Sequence, residues 1–369
     1  MGDTAQSGPG STYAAAGVDA AGEESSLAGL LRWVNRSFEL RRGVGEVKLP
    51  IGFFANVVDL GHGLGLAIST DGVGTKLLVA QHLHKYDTVG IDCVAMNVND
   101  VLCVGAEPLA MVDCISLQEP RADLLAELGK GLYEGARLAN ITIPGGEIAQ
   151  VREMVRGARD GYAFDLVGTC VGLVPLDRII VGREVAPGDA VVGLRSSGIH
   201  SNGLTLARRV LFDTLGLTPR TYRPELGRTV GEELLEPTRI YVREVLAMLR
   251  AGIRVKSLAH ITSDGFQNLT RVVTDYSYVI DQLPEPPAIF KLIEEGGAIG
   301  AAEMFSVFNM GIGFCVVAPE ADVPRIVEVA ATYGVPAQRI GHVTTERGRL
   351  VHLPAERLVG GGSGFRVKG

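Results

Sequence analysis

No cluster of lysines and arginines occurs in the 369 residues, and the formal net charge is −7. Binding along a nucleic-acid backbone needs clustered cations, so that class of function is excluded. Long apolar runs are also missing: glycine or aspartate interrupts each one short of the ~20 residues that span a bilayer. No Arg-flanked apolar segment opens the chain, so neither a membrane anchor nor a secretion signal is expected. Cysteine is sparse. Cys93, Cys103, Cys114, Cys170 and Cys315 form no C-x-x-C pair and no zinc spacing. Their apolar surroundings, such as VLCVGA and LVGTCVGLV, predict buried, reduced thiols and a cytoplasmic protein. Aromatic residues make up only 6%, against 46% hydrophobic residues and 48 glycines, which suits a glycine-rich α/β enzyme better than an all-β module. There is no G-x-S-x-G elbow, no Walker lysine motif and no G-x-G-x-x-G with a downstream acid.

Against these absences stands one informative turn, DGVGTK at residues 71–76. The apolar run 66–69 predicts a buried strand that delivers Thr70 and Asp71 into a bend. Gly72 and Gly74 leave that bend open around Val73, and Thr75, Lys76 and Leu77 begin a helical pattern. Two glycines allow close approach of a polyanion, and a helix start offers N–H groups to it. Lys76 carries a matching charge, and Asp71 suits the divalent ion that phosphates bring. A tight turn with a solvated lysine is the plainer alternative.

Three more polar clusters stand out. Asn97, Asn99 and Asp100 fall inside a helical pattern, where Asn and Asp are disfavoured. Either they cap a break in that helix or they offer oxygen ligands to Mg²⁺. Gly145-Gly146-Glu147 follows a short strand, and Glu147 is expected at its end. With Asp71 and Asp100 it would complete three carboxylates able to hold Mg²⁺ between protein and triphosphate. The run Ser196-Ser197-Gly198-Ile199-His200-Ser201-Asn202-Gly203 enters a helix capped by Ser201 or Asn202 and suits a phosphate or an anionic substrate. His260, with Thr262, Ser263 and Asp264, ends another expected strand, as a core or a catalytic histidine. The remaining histidines carry no expected role.

Strands and helices alternate along both halves, predicting two layered α/β domains and no internal repeat. The expected units are a flexible segment 1–25, a nucleotide-binding and dimerisation domain 26–176, a substrate domain 177–355 and a loose tail 356–369. An amphipathic helix is expected at 27–38, and one continuous helix over 231–252.

These segments, in order, resemble the phosphoribosylformylglycinamidine cyclo-ligase (aminoimidazole ribonucleotide synthetase) family. The resemblance rests on YAAAGVD (13–19), STDGVGTKLLVA (69–80), GIDCVAMNVNDVLCVGAEPLAMVD (90–113), GGEIAQ (145–150), GLRSSGIHSNGLTLARRVL (193–211), LLEPTRIYV (234–242), HIT…N (260–268) and FNMGIGF (308–314). It implies ATP-dependent ring closure of formylglycinamidine ribonucleotide through an iminophosphate. It further implies homodimers whose amino-terminal domains share a β-barrel. By that likeness Asp71, Asp100 and Glu147 hold Mg²⁺ with ATP, and Gly72, Val73, Gly74, Thr75, Lys76 and Asn99 meet the nucleotide. Ser196, Ser197, Gly198, His200, Ser201, Asn202, Gly203 and Thr262 then face the ribonucleotide, with His200, His260 and Lys76 as the catalytic set. Whether K⁺ accompanies Mg²⁺ is left open.

The chain departs from the family pattern at several points. Ala14 and Ala15 replace a lysine and an aspartate, IGFFANVVDLG (51–61) replaces a glycine-rich stretch, and Gln150 stands where an acid is usual. His260 is followed by Ile-Thr-Ser-Asp-Gly rather than Ile-Thr-Gly-Gly-Gly. Two rivals follow: another ATP-using enzyme of the same superfamily, or a nucleotide-binding relative without turnover.

Overall fold

The computed structural model describes residue 12, residues 16–17, 20–362 and 364–368. Tyr13, Ala14, Ala15, Val18 and Asp19 of the amino-terminal match therefore lie outside the described residues. Helix α1 (Ala20–Val34) starts earlier than the expected residue 27 and continues into a 3-10 turn at Asn35–Leu40.

The first sheet is built from β1 (Asn56–Gly61), β2 (Leu64–Gly72), β3 (Glu107–Leu117), β4 (Thr142–Gln150) and β5 (Phe164–Pro175). Its order is β1-β2-β5-β3-β4, antiparallel except for the parallel β3–β4 pair. Helices α2 (Lys76–Leu83), α3 (Asp87–Cys103) and α4 (Ala122–Ala139) connect the strands. Along β5 burial alternates strictly, so one face packs on α3 while the other stays partly open. Val112, Ile68 and Cys114 are exposed on that outer face. Cys114 thus departs from the expected set of buried thiols, because strand alternation turns it outward.

The second half holds β6 (Asp189–Arg195), α5 (Leu204–Arg208), and the short pair β7 (Tyr222–Arg223) and β8 (Arg228–Thr229). Next come α6 (Val230–Leu234), α7 (Val242–Arg250), β9 (Ser257–His260) and β10 (Tyr276–Ile280). Helices α8 (Ala288–Gly297) and α9 (Ala301–Val307), strand β11 (Ile312–Pro319) and helix α10 (Val323–Thr332) follow. The chain then finishes with β12 (Ala337–Arg347), β13 (Val351–Leu353), β14 (Leu358–Gly360) and β15 (Phe365–Val367). These strands form an eight-stranded sheet, β15-β14-β13-β10-β12-β6-β11-β9. The expected loose tail is instead ordered at its edge, with Leu358 and Phe365 buried in the core. No helix among the described residues is long and apolar enough to cross a membrane.

The expected helix over 231–252 is broken between α6 and α7. Pro237 has no N–H to continue the helix and pushes Glu236 toward extended backbone. β4 runs through Gly145-Gly146-Glu147 instead of ending there, because Gly146 pairs with Asp113 in register. A Cβ on Gly146 would come within 2.4 Å of the Asp113 carboxylate, so only glycine admits that side chain.

Close approach of α3 and α4 rests on glycines of the same kind. A Cβ on Gly131 would lie 1.9 Å from the Asp87 carbonyl oxygen, while one on Gly129 of the same helix would meet nothing within 4 Å. Gly131→Ala should therefore lose about 2–3 kcal/mol in urea unfolding by forcing the helices apart. Gly129→Ala should gain up to about 1 kcal/mol from helix propensity. Equal effects at the two positions would refute this packing.

Candidate active site

Helix α3 runs unbroken through its polar residues, so they are not caps. Successive positions on a helix turn by about 100°, and each side chain meets a different neighbour. Asn97 receives the Asp71 N–H at 3.0 Å and donates to the Asp71 carbonyl at 3.1 Å, clamping the end of β2. A Cβ on Gly168 of β5 would strike the Asn97 amide at 2.6 Å, so this clamp needs glycine there. Asn99 donates to the Arg239 carbonyl and accepts from the Tyr241 N–H. Asp100 reaches across to β9, its Oδ1 lying 2.9 Å from His260 Nδ1.

That arrangement brings Asp71, Asp100 and His260 together at the ends of β2, α3 and β9. His260 is fully buried, and its Nε2 faces the Asn99 amide at 3.4 Å. With Asn99 donating to Nε2, the neutral ring keeps its proton on Nδ1 and gives it to Asp100. Burial, with the Asp100 charge adding to it, pushes the Asp71 carboxyl up to about 6. Two adjoining carboxylates, one of them costly to ionise alone, are a donor set that suits Mg²⁺ held jointly with phosphate oxygens. A pocket of about 180 Å³ adjoins them, lined by residues 50–56 and 68–70. Arg271 closes its far side, 5.0 Å over the Phe54 ring and 3.2 Å from Asp264.

Glu147 does not join this pair. It is exposed on β4, with β3 and β5 between it and β2, roughly 14 Å away at ~4.8 Å per strand. Among the described residues no three His, Cys, Asp or Glu side chains are grouped to hold a metal. The expected three-carboxylate site is thus two carboxylates within one chain.

Lys76 also departs from expectation. It is fully buried, and its Nζ donates to Asp92 at 2.9 Å, to the Glu236 carbonyl at 2.6 Å and to the His200 carbonyl at 3.3 Å. All its donors are spent inside the protein, so it is not a solvated or phosphate-facing cation here. Asn99 is likewise consumed by the backbone of 239–241. The open part of the DGVGT turn is narrower than its sequence: Val73 is buried and Gly72 N–H is held by Asp71 Oδ1. Gly74 is exposed, at φ 70°, with open space around it, and Thr75 meets Thr205 at 2.9 Å across the two halves.

The loop 196–203 is folded inward. Ser196 Oγ donates to Asn309, whose amide in turn donates to the carbonyls of Gly198 and Ile199. Ser197 Oγ donates to the Pro237 carbonyl at 2.5 Å. His200 sits in left-handed backbone, φ 68°, with Nε2 accepting from Ser197 N–H at 3.2 Å. Burial, reinforced by nearby positive charge, holds it well below the ordinary histidine range, so it is a neutral brace and not a proton donor at neutral pH. Gly203, at φ 77°, takes the cap position expected of Ser201 or Asn202. Ser201, bonded to Thr238 at 3.1 Å, and Asn202 remain half-buried, and Thr262 is half-buried beyond His260.

Sequence reasoning passed over the segment 236–241. Thr238 donates through both N–H and Oγ1 to Asp92 at 2.7 Å, and Tyr241 Oη donates to the Arg195 carbonyl. This one extended stretch ties α2 and α3 of the first half to β6 and its loop in the second. Its signal was an aspartate, Asp92, in an otherwise apolar helix.

Comparison with known proteins now places this geometry. The model for the AIR synthase related protein N-terminal domain matches residues 54–174, and that for its C-terminal domain matches 186–352. The chain belongs to the AIR synthase related family. A Methanothermobacter thermautotrophicus protein named phosphoribosylformylglycinamidine cyclo-ligase is 46% identical over 344 residues, covering 93% of this chain and 97% of the relative. The equally named Methanocaldococcus jannaschii protein is 47% identical over 90% of this chain and 92% of the relative. Among solved structures, thiamine monophosphate kinase from Aquifex aeolicus shares the family fold at TM-score 0.59 and 16% identity, covering 88% and 96%. The Escherichia coli hydrogenase maturation protein HypE does so at TM-score 0.55 and 18% identity, covering 78% and 81%. At such identities these two speak for the fold alone.

Two outcomes test the site. Lys76→Met strands the buried Asp92 charge and should cost about 3–5 kcal/mol in urea unfolding; a loss below 1 kcal/mol, at the level of an exposed pair, would remove the lock. The Asp71 carboxyl keeps its proton up to about 6 in the fold against 3.8 ordinarily, so folding is favoured below 3.8 and that advantage is lost as pH rises through 6. In EDTA, Asp71→Asn should therefore be the more stable protein at pH 8, by on the order of 2 kcal/mol. The difference should vanish near the ordinary carboxyl range; a pH-independent difference in melting temperature would contradict the assignment.

Proposed function

We propose that the chain closes the imidazole ring of aminoimidazole ribonucleotide from formylglycinamidine ribonucleotide, consuming ATP in de novo purine biosynthesis. The observation that carries this reading is the near-full-length identity to relatives bearing that enzyme name. The paired carboxylates beside an open glycine turn support it from the side of the chemistry.

ATP transfers its γ-phosphoryl group to the formyl amide oxygen, converting a poor oxide leaving group into phosphate. The amidine nitrogen of the same molecule then attacks that carbon, and phosphate departs as the ring forms. Both reacting ends belong to one substrate, so a correctly held conformer gains an effective molarity on the order of 10⁵ M. Asp71 and Asp100 would hold Mg²⁺, which supplies charge neutralisation for the phosphates. Gly74 and Thr75 lie where the polyanion approaches the backbone. The His260 ring is held by Asp100 on one side and Asn99 on the other, which fixes its tautomer beside the reacting groups. Ser201, Asn202 and Thr262 are the polar groups left on the ribonucleotide side. Pairing of two copies through the open face of the first sheet is the assembly this reading entails, with the cytoplasm as its location.

Purified protein with ATP, Mg²⁺ and formylglycinamidine ribonucleotide should release ADP and phosphate in equal amounts with a diazotisable aminoimidazole. Asp71→Asn and Asp100→Asn should each lower kcat on the order of 100-fold or more while leaving the fold intact. Nucleotide binding without phosphate release would instead identify a non-catalytic relative. Turnover with thiamine monophosphate alone would shift the substrate to the kinase branch of the fold.

A further inference from the structure

At the opposite edge of the eight-stranded sheet from His260 lies a cavity of about 310 Å³, lined by His352, Pro354, Arg357, Leu358 and Lys368. Its size falls at the lower end of small-ligand pockets. We propose that this cavity is a second binding site, taking a small phosphate monoester with an apolar body.

The chemistry of the lining carries the assignment. His352 is 9% exposed, and its Nε2 makes no hydrogen bond. Glu346 Oε2 stands 2.7 Å from that nitrogen but outside hydrogen-bond geometry, so a buried polar atom is left for another partner. Arg357 and Lys368 are both exposed at the rim, and among the described residues neither pairs with a carboxylate. Their separation is fixed by the backbone, since Lys368 N–H donates to the Arg357 carbonyl at 2.7 Å. The turn 353–357 is closed by Glu356 and Arg357 N–H groups donating to the Leu353 and Pro354 carbonyls. A forked guanidinium, an ammonium and an imidazole nitrogen suit a dianionic phosphate better than a single carboxylate. Pro354 and Leu358 offer the apolar wall against which the rest of the ligand packs. Glu346 opposes an anion, but it is half exposed, hence screened, and faces two cations.

The test uses the full chain with ¹³C-labelled histidine, following the His352 Cε1–H signal identified by its loss in His352→Gln. Phenyl phosphate should shift that signal saturably at submillimolar concentration, with inorganic phosphate weaker for lack of the apolar contact. The double variant Arg357→Gln/Lys368→Gln should weaken phenyl phosphate by about tenfold or more, with ATP-site signals and melting temperature unchanged. An unmoved His352 signal, or equal affinity in the double variant, overturns the site. Benzoate binding as tightly as phenyl phosphate overturns the phosphate assignment in favour of a carboxylate ligand.

Discussion

The buried pair of Lys76 and Asp92 determines how the two halves of the molecule meet. Each ion is fully removed from solvent, a position that costs several kcal/mol per charge unless hydrogen bonds surround it. The protein supplies them from the other half: the Glu236 carbonyl for the ammonium, Thr238 for the carboxylate. Neither charge is satisfied unless the segment 236–241 lies against α2 and α3. A hydrophobic contact of similar area could slide; this one has a single register.

From that register the reactive centre follows. Asn99 is bound to the same segment, and the next residue on the helix, Asp100, is thereby aimed at His260 of the second sheet. Asn97, three positions back, fixes Asp71 by both its backbone groups. The carboxylate pair is therefore set by a chain of amide and ion contacts that begins in the dry interface. His200 belongs to the same frame, bracing the 196–203 loop with a neutral ring.

Much of this was legible in the residues. Strand alternation around 164–174, the apolar run before Asp71 and the amphipathic helix at 122–139 gave the elements because their periodicities are local. Asp71, Asp100 and His260 were recognisable as polar residues at strand or helix positions that disfavour them. What the sequence did not convey was burial from afar. Lys76 follows two glycines in an apparently open turn, yet the partners that enclose it are Asp92, His200 and Glu236, separated by up to 160 positions. The same applies to Glu147, whose distance from Asp71 depends on strand order, a property no short motif encodes.

Cys114 stands apart from the other thiols of the chain. Cys93, Cys103, Cys170 and Cys315 are buried in apolar surroundings that hold their protons, with Cys170 pushed up to about 12. A maleimide dye should consequently mark one point, midway along β3 on the outer side of the first sheet. Its quenching or shielding then becomes a direct optical gauge of whether anything lies over that side.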